Sequence, residues 1–149
     1  MREPVTSARA VSQHFPFFHS SMTEQVVLGF DFGTQRIGIA LGNSVTRQAR
    51  PLHVIEATTA AARWRRIGAV VSEWHPTAFV VGVPRHPDGA PHAMTRQAER
   101  FGRQLNGRYG LPVAYVDERF SSAVLAKGAA TDADAAALIL QQWFDEQNA

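Results

Sequence analysis

Cysteine is absent from the 149 residues, and lysine occurs once, at Lys127. The first absence excludes disulfides, thiolate catalysis and cysteine–zinc sites. It is compatible with a cytoplasmic protein. No apolar run approaches the length of a membrane span, so a membrane is not among the expected partners. Tryptophan and tyrosine are scarce, at three and two residues. No aromatic residues interleave with basic ones to form a platform for stacking bases. All 15 basic residues except Lys127 are therefore arginine, and the net charge is only +2. Two explanations fit this bias: a preference of the source genome, or recognition of phosphate by bidentate guanidinium groups.

A length of 149 residues suits one domain with a real core. Residues 1–24 stand apart in composition. They mix Ser, Thr, Pro, His and Arg with an isolated cluster of Phe15, Phe17 and Phe18. They read as a disordered extension, or as sequence upstream of a true start at Met22. The domain is expected over 25–149.

Within it, strands are predicted at 26–31, 36–42 and 51–56. A helix follows at 59–74, where Trp64, Ile67, Val70, Val71 and Trp74 recur at helical spacing. A wholly apolar strand is predicted at 77–83, a turn-rich loop at 84–92 and a helix at 92–107. The helix turns Met94, Ala98, Phe101 and Leu105 inward. A fifth strand at 112–117 precedes a short helix near 121–127 and a last helix at 132–146. The first two turns are too short for crossovers, so the first three strands form an antiparallel meander. The later strand–helix–strand units imply parallel pairing. The expected fold class is α/β: a mixed five-stranded sheet with helices on both faces. Sites in such sheets gather beyond the carboxyl ends of the strands.

Three acids fall at such places. Asp31 ends the first strand, before a turn through Gly33 and Thr34. Glu118 follows the fifth strand, and Asp132 opens the last helix. Taken singly, each has a structural reading. Asp31 fits a turn residue bonded to the backbone of Gly33, and Glu118 fits a surface ion pair beside Arg119. Asp132 fits the positive end of a helix, next to a capping-box-like pair of Thr131 and Asp134. Together they suggest more. Three convergent carboxylates repel one another unless a divalent cation neutralises them. Mg²⁺ suits oxygen ligands and leaves room for phosphate oxygens, and two such ions can clamp a phosphodiester displacement. Asp31 followed by Gly-Thr also fits the phosphate loop of actin-like and sugar kinases. Those enzymes, however, close two such domains around a nucleotide.

The ordered motifs GFDFGTQRIGIALGN, ARPL, VVGVP with a following DG, VDERFSS and DADAAALIL strongly resemble the YqgF family over residues 26–146. That family has a ribonuclease-H-like fold. Its members are described as Holliday-junction resolvases and, in bacteria, as nucleases that process the 5′ end of pre-16S ribosomal RNA. The resemblance implies an endonuclease using Mg²⁺ or Mn²⁺, as two ions. Asp31, Glu118 and Asp132 would be its catalytic metal ligands. Gly33, Thr34, Arg36, Arg119 and Ser122 would lie at the substrate. The implied partner is nucleic acid, either structured RNA or branched DNA, bound by a monomer or a homodimer.

Two features depart from the family pattern. Ser122 stands where the family has threonine, which keeps the hydroxyl. Between Arg119 and Asp132 there is only FSSAVLAKGAAT, where the family carries a longer stretch rich in glycine and lysine. This puts the grip on substrate, and with it activity, in question. For nucleic-acid contact, Arg36, Arg47, Arg50 and Arg85 form a candidate phosphate track. Arg63 and Arg66 read as a solvated helix face. Arg96, Arg100 and Arg103 share the polar side of the second helix. His86 and His92 read as turn residues.

Overall fold

The computed structural model describes residues 23–118 and 131–147. The extension through residue 22, the helix expected near 121–127, Arg119, Ser122 and Lys127 lie outside the described residues. Five strands form one sheet: β1 (Val26–Phe32), β2 (Arg36–Asn43), β3 (Gln48–Glu56), β4 (Ala78–Val83) and β5 (Val113–Asp117). Three long helices accompany them: α1 (Ala60–Trp74), α2 (Thr95–Tyr109) and α3 (Asp132–Gln147). The sheet order is β3-β2-β1-β4-β5. β1, β2 and β3 pair antiparallel, and β1–β4 and β4–β5 pair parallel, as the connection lengths predict.

Side chains alternate between the two faces of each strand, and the two faces differ in size. Leu28, Phe30, Ile37, Ile39, Phe79 and Val81 fill one face and pack against Trp64 and Ile67 of α1 and Phe101 and Leu105 of α2. Phe30 and Phe101 meet edge to face at 5.4 Å, and Trp64 stacks on Phe101 at the same distance. Truncating a ring so placed costs about 3–5 kcal/mol.

The opposite face carries Val27, Ala40, Ala78, Val80, Ala114 and Val116, and against it lies α3 with Ile139, Leu140, Trp143 and Phe144. Glycine lowers this face further. A Cβ at Gly29 would stand 2.8 Å from Leu140 Cβ, and one at Gly42 would stand 2.7 Å from Phe144 Cε2. The alternation of Ile37, Ile39 and Leu41 with Gly38, Ala40 and Gly42 therefore divides large from small, and the small side admits α3.

The element ends explain where boundaries moved from those expected. Thr59 Oγ1 caps α1 by accepting from Ala62 N at 3.1 Å, and His75 closes it in the left-handed region before Pro76. α2 starts at Thr95, three residues later than its sequence suggests. His92 N donates to Thr95 Oγ1, whose hydroxyl donates to Pro84 O, and His92 Nδ1 accepts from Met94 N. Residues 92–94 are thus spent on a turn. β3 begins earlier than expected, at Gln48. Pro51 is accommodated because β3 is an edge strand and the register shifts between Ile39 and Ala40 opposite it.

A candidate acidic site at the carboxyl end of the sheet

Asp31 and Gly38 are cross-strand partners on β1 and β2, so both face α3. A Cβ on Gly38 would lie 1.8 Å from the carbonyl oxygen of Asp132. The first turn of α3 thus rests directly on the backbone of β2, beside Asp31. The expected cap is present there: Asp134 N donates to Thr131 Oγ1, and Thr131 N donates to Asp134 Oδ2, both at 3.1 Å. Each satisfies an orphan amide of the helix start.

Glu118 arrives from the other side. β5 is not adjacent to β1, because β4 lies between them. Gly82 of β4 removes the obstacle. It follows Val81, the parallel partner of Phe30, and so stands level with Asp31. A Cβ on Gly82 would be 2.7 Å from Glu118 Oε2. Glu118 N continues the ladder by donating to Val83 O at 3.0 Å, and its side chain is 5% exposed. Two glycines therefore flank Asp31 in one row, one as a seat for Asp132 and one as a passage for Glu118.

This environment raises the carboxyl pKa values. Asp31 is pushed up to about 7, first by burial and then by the charge of Asp132. Glu118 is pushed up to about 8 by burial, then by Asp31, then by Asp117. A half-buried and a buried acid, both held toward protonation first by desolvation, are suited to a divalent cation, whose charge offsets their repulsion. The donor set is all oxygen, the chemistry of Mg²⁺ and Mn²⁺ rather than of zinc.

Asp132 points elsewhere. Its Oδ2 accepts from Arg36 Nε at 2.6 Å, and Arg36 is held more firmly protonated by that bond. Among the described residues no three acids or histidines close into one ligand group. Of the three expected ligands, Asp132 acts on Asp31 and Asp31 on Glu118, while the carboxylate of Asp132 is engaged by Arg36.

The turn between β1 and β2 borders the acids. A Cβ on Gly33 would lie 2.6 Å from Arg36 O, so only glycine permits a turn this tight. Arg63 of α1 braces it, donating Nη2 to Thr34 O at 2.8 Å with its guanidinium over the Phe32 ring. Arg66 donates to Glu56 O at 3.1 Å. Neither arginine is merely a solvated helix face, and sequence spacing alone carries no sign of these carbonyl contacts. A cavity of about 220 Å³ lies between the turn and Asp132, lined by Gly33, Thr34, Gln35, Arg36 and Asp132. A second, of about 720 Å³, shares Thr34, Gln35 and Arg36 and extends to Glu56, Thr58 and Arg66.

The four-arginine track is not assembled. Arg36 opens β2 and Arg85 follows the end of β4, both on the acidic side. Arg47 and Arg50 belong to the β2–β3 hairpin at the other end of the sheet. Arg50 stacks over Trp74, and Arg85 pairs with Glu99 at 3.6 Å. Arg96, Arg100 and Arg103 are exposed on α2 as expected. His86 and His92 are turn residues: His86 O accepts from Gly89 N, and the His92 ring serves the start of α2.

Comparison with known proteins agrees with this fold. Residues 25–146 match the family model described as RuvX: Holliday junction resolvase. A Burkholderia vietnamiensis protein named "Putative pre-16S rRNA nuclease" is 51% identical over 139 residues, covering 85% of this chain and 93% of the relative. A protein of the same name from Paraburkholderia phytofirmans is 50% identical over 130 residues, covering 82% and 89%. Among solved structures, RuvC of Thermus thermophilus in complex with a Holliday junction superposes with a TM-score of 0.54 at 21% identity, over 83% of this chain and 96% of that one. The fowlpox virus resolvase, in complex with junction DNA, gives 0.51 at 8% identity, over 82% and 98%. At these identities the structural likeness is one of fold, the ribonuclease-H-like arrangement.

Proposed function

The chain belongs to the RuvX Holliday junction resolvase family, and on that premise we propose that it is a metal-dependent endonuclease that processes the 5′ end of pre-16S ribosomal RNA. It is a nuclease, acting on nucleic acid by phosphodiester hydrolysis. The observation that carries the reading is the half-buried Asp31 and buried Glu118, both raised in pKa at the carboxyl end of the sheet, with Asp132 seated beside Asp31 on Gly38.

Asp31, Glu118 and Asp132 would hold Mg²⁺ or Mn²⁺, as a pair of ions. The ions, when bound, neutralise the carboxylates, lower the pKa of water and offset charge on the scissile phosphate. The protein's residues do the rest. Burial of Asp31 and Glu118 withholds their full charge until a cation arrives. Gly33 keeps the β1–β2 turn low enough for a phosphate to approach the backbone. Arg36 offers the remaining N–H groups of its guanidinium to a phosphate at the mouth of the 220 Å³ cavity. Thr34 presents an exposed hydroxyl beside it. Arg119 and Ser122 are assigned to the same phosphate contacts. A ribosomal RNA substrate places the action in the cytoplasm. No described helix is long and apolar enough to cross a membrane.

The test pairs two labelled substrates, a precursor carrying the 5′ end of 16S rRNA and a four-way DNA junction, each with Mg²⁺ or Mn²⁺. Cleavage of the RNA at one position, abolished by Asp31→Asn and by chelation, is expected. Preferential symmetric cleavage of the junction would reassign the substrate to DNA. Equal cleavage by Asp31→Asn and wild type would remove the mechanism.

A further inference from the structure

The larger cavity is not needed to hold an ion or the scissile phosphate, yet it opens from the same wall. Thr34, Gln35 and Arg36 separate it from the cavity at Asp132. Its volume, about 720 Å³, is within the range of small-ligand sites and far too small for a duplex. Its lining is divided in character. Arg36 and Arg66 supply two guanidinium groups, and Glu56, the cross-strand partner of Arg36, supplies one carboxylate. Ala57 and Ala62 form an apolar portion, and Thr58 a hydroxyl. Ala62 belongs to the first turn of α1, which carries no acidic residue, so the positive end of that helix is uncompensated there. No tryptophan, tyrosine or phenylalanine lines the space, which argues against base stacking as its purpose.

We propose that this cavity is a subsite for one nucleotide of the polynucleotide substrate, next to the one at the acidic site with which it shares Thr34, Gln35 and Arg36. Its phosphate lies between Arg36 and Arg66, and its sugar lies on Ala57 and Ala62. The recess, at about 720 Å³, has room for a nucleotide. The assignment rests on the nuclease reading for its direction relative to the scissile bond. The binding itself does not depend on that reading.

The experiment measures binding by fluorescence anisotropy in EDTA, with the full chain and labelled single-stranded oligonucleotides of mixed sequence, as RNA and as DNA, at several salt concentrations. Two variants address the cavity in different ways. Arg66→Gln removes one guanidinium, and Ala62→Trp fills the space without changing charge. Arg66→Gln should weaken binding about tenfold and lower the salt slope by about one, while Arg66→Lys keeps the slope. Ala62→Trp should weaken binding with the slope unchanged. Thermal melts of each variant separate these effects from loss of the Arg66–Glu56 contact. Wild-type affinity in folded Arg66→Gln and Ala62→Trp overturns the subsite. Preference for the RNA or the DNA strand identifies the sugar it accepts. Because no metal is present, failure of the nuclease reading leaves this outcome untouched: Asp31→Asn would then cleave as wild type does, whatever the anisotropy gives.

Discussion

Arg36 Nε donates to Asp132 Oδ2 at 2.6 Å, so the carboxylate that acts on Asp31 is itself paired with a guanidinium. With Asp132 as a proposed cation ligand, Arg36 would compete with the ion for the same carboxylate and add a positive charge beside the site. Arg36→Gln should tighten Mn²⁺ binding in the absence of nucleic acid by about two- to fivefold, the worth of a partly exposed ion pair. The same variant should bind nucleic acid more weakly. Calorimetric titration with Mn²⁺ reads the first effect. A weaker or unchanged metal affinity would show that Arg36 does not compete for Asp132.

Asp31 and Glu118 set a pH dependence whose sign is unusual for carboxylates. Their unfolded values, 3.8 and 4.5, rise to about 7 and about 8 in the fold. Over that window the folded chain binds more protons than the unfolded one, so the stabilisation is complete below the lower values and is lost as pH rises through the higher ones. In EDTA the melting temperature should fall from pH 5 to pH 8. Asp31→Asn should reduce the fall and melt above wild type at pH 8. Mn²⁺ at pH 8 should restore the wild type by binding the folded state. An equal fall in Asp31→Asn would remove Asp31 as the cause.

Gly82→Ala directs a methyl group at Glu118 Oε2, 2.7 Å away, and at Ile139 Cδ1, 2.5 Å away. Overpacking of this kind costs about 1–3 kcal/mol. Because one of the displaced atoms belongs to the site, nuclease activity should fall by about 10²-fold, the scale of losing one transition-state contact, in protein that still folds. Gly38→Ala meets backbone at 1.8 Å and should destabilise more. Melting temperature and cleavage rate, measured together for both variants, check the order.

Thr131→Ala removes the hydroxyl that accepts from Asp134 N. The cost should be about 1 kcal/mol, or about 2–4 °C in melting temperature for a chain of this size. Asp134→Ala should cost a similar amount, and the double variant less than the sum, since the two residues cap each other. Additive losses would mean that the pair does not act as one unit.

Much of this was legible in the residues. The alternation of Ile37, Ile39 and Leu41 with small residues gave β2 two unlike faces, and the short turns fixed the meander. The chain order placed Asp31, Glu118 and Asp132 at one end of the sheet. Two kinds of information were not local. The role of Gly82 depends on β4 lying between β1 and β5, a fact of sheet order. The contacts of Arg63 and Arg66 are to backbone carbonyls of Thr34 and Glu56, which no side-chain pattern reveals. Arg47 and Arg50 were grouped with Arg36 by charge alone. The antiparallel meander carries them a full strand length away.

The contact of α3 with Gly38 also bears on how the family's proteins can vary. Asp132 takes its position from the strand on which it stands, through a fit of backbone against backbone, and its helix is started by Thr131 and Asp134 immediately around it. The chain leading in from Glu118 need only reach that foothold. A change in the length of that connection is therefore expected to leave the acid where it stands. The position of Asp132 thus belongs to β2 and not to the chain that precedes it.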